Sequence, residues 1–143
     1  MSAQEKFEVF KKNLIKENEE VYGAEIREKY GDTSVDESNR KLLHMSEEDW
    51  AHFKKLEAEI LERLQTGVQE GILPHSEAAK EIVLLHREWL CMTWPKGQYS
   101  PQAHKGLAAM YVADERFRQY YDKEVKGCAE LLKESIDFWA ERF

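Results

Sequence analysis

The side chains best suited to metal or covalent chemistry are five histidines, His44, His52, His75, His86 and His104, and two cysteines, Cys91 and Cys128. A zinc site wants ligands at close spacing, as in HxxxH or CxxC, and neither pattern occurs. Nucleophilic catalysis needs a thiol or hydroxyl beside an oriented base. Cys91 with His86 or His104 is the pairing on offer. His86 and Cys91 stand five apart on one helical stretch, so their side chains diverge. Both thiols therefore read as reduced, mostly buried and inert. A haem role for His86 lacks a partner set for the propionates on this acid-rich surface. A lone histidine on an apolar face is more often a satisfied core residue. No metal, no cofactor and no catalytic residue is expected.

Binding chemistry is better represented. In "CMTWPKGQYSPQAHKGLAAMY", Cys91 to Tyr111, charge thins out, two prolines interrupt, and Trp94, Tyr99, His104 and Tyr111 crowd together. Trp89, just upstream, reads equally well as core or as site. Trp94 and Tyr99 lie in a connector punctuated by Pro95 and Gly97, and connectors run over surfaces. Large aromatics there line a pocket or an interface. Gly106 sits inside a helical stretch at a cost of up to ~1 kcal/mol relative to alanine. Close approach of a ligand or of another helix would account for it.

The elements that must position these residues are helical. Phe7, Phe10, Leu14 and Val21 recur at helical spacing on a narrow face, with Gly23 a candidate stop. A short helix, "AEIREKYG", ends at Gly31. "DTSVDESNRKLLHM" carries few apolar anchors and reads as a short helix or a mobile segment. Ser46 then caps the clearest helix, with Glu47, Glu48 and Asp49 facing its positive end. Its stripe is Trp50, Phe53, Leu56, Ile60, Leu64 and Val68, and Gly71 and Pro74 mark its end. Ser76 caps a helix that is apolar almost all round between Ile82 and Cys91, a pattern expected of a central, covered helix. Ser100-Pro101 starts the next, Asp114 another, and Asp122 the last, which carries Val125, Cys128, Leu132, Ile136, Trp139 and Phe143. No stretch alternates with a period of two. The expected fold is all-α, an irregular globin-like packing without haem. It forms a single domain over residues 1–143, with 46–143 as the stable core and 1–45 as a mobile lid.

Composition narrows the function classes. The chain has 143 residues and a formal net charge of -7. A grip on nucleic acid needs cationic groups that displace counterions, and no Lys/Arg run of that density occurs. Direct nucleic-acid binding by this chain is not expected. The N-terminus, "MSAQEKFEVF", lacks an apolar signal region, and no apolar run approaches the roughly 20 residues of a membrane span. A cytoplasmic protein without a membrane partner is the reading.

At "HKGLAAMYVADERFRQYYD", with "EIREKYGDTSVDESN", "MSEEDW" and Trp89, the chain resembles the TipAS domain, the antibiotic-recognition domain of some MerR-family transcriptional activators. The resemblance runs from about the first helix onward. It implies an all-α, globin-like fold and a cleft for bulky apolar antibiotics, thiopeptides above all. It also implies N-terminal helices that order around the ligand. In the parent regulators a winged helix-turn-helix and a dimerising coiled coil precede the domain. The ligand-binding residues expected here are Trp89, Trp94, Tyr99, His104, Leu107 and Tyr111. One departure stands out. The family archetype has a ligand-reactive cysteine just before its His-x-Gly-Leu-Ala motif, and the matching position here is Tyr99. Non-covalent binding is therefore expected. The chain reads as the effector domain of a regulator or as a stand-alone drug-sequestering protein. A protein-interaction module docking through the first helix is the rival reading.

Overall fold

Ser46 divides the chain. Its Oγ accepts from the Asp49 amide at 3.0 Å, and the Asp49 carboxylate accepts from the Ser46 amide at 3.3 Å. This reciprocal box satisfies amide donors that a helix start leaves orphaned. Helix α4, Glu47–Glu70, follows and stops at Gly71, whose φ of 69° is left-handed, a conformation glycine adopts without strain. In this computed structural model, which describes residues 1–143, eight α-helices and one π-helical turn account for the regular structure, with no strand.

Four later helices follow the punctuation of the sequence. Helix α5, Glu77–Thr93, is capped by the Ser76 hydroxyl, and α6, Pro101–Ala113, by the Ser100 hydroxyl with proline in its first turn. Helix α7, Glu115–Asp122, takes its cap from Asp114. The last helix, α8, runs Cys128–Trp139, so Asp122 does not open it as expected. Asp122 instead closes α7, and its carboxylate accepts from the Ala129 amide at 2.9 Å. It still serves the start of α8, across the connector 123–127.

Helices α4, α5, α6 and α8 pack into the core, with α7 against α6 and α8. Leu64, Ile82, Val83, Leu132 and Ile136 are its fully buried centre. Burying each such side chain contributes about 1.5–3 kcal/mol. The helices differ in length and direction, and the architecture is the globin-like, all-α one. Helix α5 departs from expectation, because it is not covered all round. Leu84 is 41% exposed, and Arg87, Glu88 and Cys91 also face solvent. No helix covers that side of α5. The apolar run leaves a leucine and a thiol outside, and the expectation that both thiols are buried holds only for Cys128. Gly106 faces open space, with nothing near a Cβ placed there. Close packing of another helix does not account for it.

The first 45 residues are helical as well. Helix α1, Ala3–Asn18, passes through a π-helical turn, Glu19–Gly23, into α2, Ala24–Tyr30, and then α3, Asp32–Leu43. Gly23 does not stop the chain; its φ of -54° is ordinary helix. A side chain there would meet the Glu19 carboxylate, which is engaged with Arg27 and Asn39. The wider π turn shifts the helical register, and Val21 swings off the expected stripe to 57% exposed. Phe7 and Phe10 pack edge-on against Trp50, at 6.5 and 5.4 Å between ring centroids. Lys11, 1% exposed, sends its ammonium to the carbonyls of Leu43 and Met45 at 2.6 and 2.8 Å. A cation there meets the unpaired carbonyls at the end of α3. That contact settles "DTSVDESNRKLLHM" as a helix despite its thin apolar face.

Candidate functional site

Between the N-terminal helices and the core lies a cavity of about 360 Å³. One wall comes from the π turn and helices α2 and α3, with Tyr22, Ile26, Tyr30 and Val35. The opposite wall comes from α5, the connector after it, and α6, with Trp89, Trp94, Gln98, Leu107, Met110 and Tyr111. Phe117 of α7 closes one side. The lining is aromatic and apolar, as ligand cavities generally are.

The polar groups in this wall are more informative than the apolar ones. Tyr30 Oη, Trp89 Nε1 and Gln98 Oε1 are buried without a hydrogen-bond partner, and all three residues line the cavity. A buried polar atom left unpaired costs about 1–3 kcal/mol. Most buried polar groups avoid that cost. Three such exceptions, a donor, an acceptor and a hydroxyl, fall on residues of one cavity wall.

Behind the wall runs a hydrogen-bonded chain. Tyr99 Oη lies 2.7 Å from His104 Nδ1, His104 Nε2 lies 2.8 Å from His86 Nδ1, and His86 Nε2 lies 3.3 Å from Tyr111 Oη. A neutral imidazole has one donor and one acceptor nitrogen. Donation from Tyr99 to His104, on to His86 and then to Tyr111 uses every site once. Burial keeps both rings neutral: it pushes His86 well below the usual histidine range and His104 down to about 4. The neighbouring imidazole adds to the effect on His86, and the Arg87 guanidinium to that on His104. The two ring planes lie within 5° of each other with 5.0 Å between centroids, the near-coplanar arrangement that an in-plane N–H···N bond requires. Such a network rigidifies what it joins, here α5, α6 and the connector between them.

Of the six residues expected at the site, Trp89, Trp94, Leu107 and Tyr111 line the cavity, whereas Tyr99 and His104 do not. Those two belong to the buried chain that supports Tyr111. Gln98, Tyr30 and Phe117 line the cavity without having been singled out. Nothing local marks Gln98 in a connector, and only folding shows that its oxygen is orphaned. No three His, Cys, Asp or Glu side chains converge as metal ligands would. No helix is long and apolar enough to cross a membrane.

An all-α domain with an apolar cavity between its N-terminal helices and an aromatic wall has the form of a ligand-recognition domain. The family model of the TipAS antibiotic-recognition domain matches residues 22–139, and the chain belongs to that family. It is 28% identical over 137 residues to the HTH-type transcriptional activator TipA of Streptomyces coelicolor, covering 95% of this chain and 52% of TipA. It is 24% identical over 131 residues to the HTH-type transcriptional activator mta of Bacillus subtilis, covering 89% of this chain and 48% of mta. The chain thus spans about half the length of the curated relatives it matches. Among solved structures, TipAS of Streptomyces lividans in complex with nosiheptide aligns with a TM-score of 0.68 and 27% identity over 82% of each chain.

Proposed function

We propose that this chain binds bulky, largely apolar antibiotics of the thiopeptide kind, non-covalently, in the cavity between its N-terminal helices and its core. It acts as the effector domain of a transcriptional regulator or as a stand-alone drug-sequestering protein. The supporting observation is an apolar cavity whose wall includes three residues, Tyr30, Trp89 and Gln98, that each carry a buried polar atom without a partner in the chain. Amide-rich ligands carry complementary donors and acceptors, and an apolar body would displace water from the rest of the wall. The proposed ligand residues are Trp89, Trp94, Leu107 and Tyr111 in contact, with Tyr99 and His104 holding the wall behind them.

A macrocyclic thiopeptide is larger than a cavity of about 360 Å³. The helices before Ser46 must therefore swing out and close again over the ligand, which makes them the lid. Ordering the lid draws on binding free energy. Titration with nosiheptide, followed by tryptophan fluorescence, tests the reading. Saturable binding in the micromolar range or tighter is expected, and its absence overturns the proposal. The rival reading, docking of a partner protein on the first helix, rests on the exposed Val9 and Phe10. In that case substituting them with serine would abolish partner capture and leave nosiheptide titrations unchanged.

A further inference from the structure

A second cavity, of about 240 Å³, adjoins the first and shares Tyr22, Trp89, Tyr111 and Phe117 with it. Its remaining wall differs in chemistry. Tyr120 and Tyr121 add two more rings, and Glu57 of α4 adds a carboxylate. We propose that this second compartment is a cation subsite, taking an ammonium-type group such as trimethylammonium or alkylammonium. The group would arrive alone or as the charged arm of a larger ligand whose apolar body lies in the first cavity.

Three observations carry this. First, aromatic faces attract a cation through their quadrupole, most strongly when it is desolvated, and six of this cavity's ten lining residues carry Trp, Tyr or Phe rings. Second, Glu57 keeps its negative charge available. Tyr120 Oη donates to it at 2.9 Å and is neutral. Its cationic partner, Lys54 at 3.2 Å, is an exposed i,i+3 pair, and such pairs hold weakly. Third, the shared wall already holds a cation: the Arg116 guanidinium lies 4.8 Å over the Tyr22 ring. That charge is balanced outside, by Asp114 at 2.7 Å and Glu25 at 2.6 Å. His86 adds no positive charge, since burial keeps it neutral. With Arg116 matched by two carboxylates and Glu57 held only by the surface Lys54, the ring-lined cavity carries a net negative charge, a setting that favours a cation over an anion.

Choline and its uncharged carbon isostere, 3,3-dimethylbutan-1-ol, are the probes, titrated into the full chain with NMR detection of the tryptophan indole and tyrosine ring signals. Choline is expected to bind about tenfold tighter than the alcohol. Glu57→Gln should weaken choline about fivefold or more and leave the alcohol unchanged. Lys54→Ala should tighten choline at low salt by removing a competitor for Glu57, a gain that damage to the fold cannot produce. Equal affinities for the two probes, or a Glu57→Gln protein that takes choline as the parent does, overturn the proposal. It fails separately from the antibiotic reading: a protein that binds nosiheptide but shows no preference for choline keeps that reading and loses this one.

Discussion

The ammonium of Lys41 donates to the carbonyl of Trp94 at 2.8 Å and to that of Cys91 at 2.9 Å. Lys41 belongs to α3, in the N-terminal segment, and the two carbonyls lie at the end of α5. A cation from the N-terminal segment thus meets the negative end of the helix that carries Trp89. The N-terminal segment is tied to the core at the very place where the cavity wall leaves its helix.

Lys41→Met should loosen this tie without unfolding the core. The loss is expected at about 1.5 kcal/mol, the low end for hydrogen bonds from a charged donor, because the contact to Cys91 is solvent-exposed. Hydrogen exchange read by mass spectrometry should quicken several-fold in 32–43. In the parent protein, exchange should be fast before Met45 and slow around Ile60, Leu84 and Leu132. Nosiheptide should slow the first segment. If Lys41→Met leaves exchange in α3 unchanged, the two hydrogen bonds do not hold the lid.

Trp94 is half-buried in the cavity wall, tilted against Tyr99 with 6.1 Å between ring centroids. Trp94→Ala should weaken nosiheptide about tenfold and cost less than the roughly 3–5 kcal/mol of a core tryptophan truncation. Leu64→Ala, at the fully buried centre, should show the opposite pattern, about 2–5 kcal/mol of stability with little change in affinity per folded molecule. Paired denaturant melts and fluorescence titrations separate the two. An unfolded Trp94→Ala protein would place that ring in the core.

The thiols should behave unequally. Cys91 is exposed, whereas Cys128 is buried and its thiol is pushed up to about 11, first by burial and then by Asp122. A small aromatic disulfide reagent should titrate one thiol in the native protein and two after denaturation. Neither thiol lines the cavity. Mass spectrometry after incubation with nosiheptide should therefore show no adduct, and an adduct on Cys91 would refute non-covalent binding.

Acid should destabilise the protein through the buried imidazoles. His104 falls from an ordinary 6.5 to about 4 on folding, and His86 shifts in the same direction. The unfolded chain therefore binds more protons between those values, and stability rises with pH across that window. It is complete above about 6.5 and is lost progressively toward about 4. For His104 alone the change is on the order of 3 kcal/mol. Thermal melts from pH 7 to pH 4 read it directly. His104→Gln should flatten the dependence, and an unchanged slope would mean that the chain from Tyr99 to Tyr111 does not hold the proton inventory described.

What the sequence by itself determined is local. Ser46, Ser76 and Ser100-Pro101 start helices because capping involves atoms within three residues of each other. The stripe from Leu56 to Leu64 finds the core because helical periodicity fixes a face. The weaknesses share one cause: whatever depends on a distant neighbour was out of reach. Helix α3 looked marginal because Lys11, more than thirty residues before its last carbonyls, completes its end. Cys91 looked buried because nothing in the run around it shows which side of α5 stays uncovered. His86 read as a solitary core histidine and His104 as a cavity residue. Only the packing of α5 and α6 on α8 brings them to 2.8 Å, where each satisfies the other and excluded water keeps both neutral. The cavities belong wholly to the tertiary structure. Tyr22 and Phe117 are 95 residues apart, and a space between helices exists only once the helices have been placed.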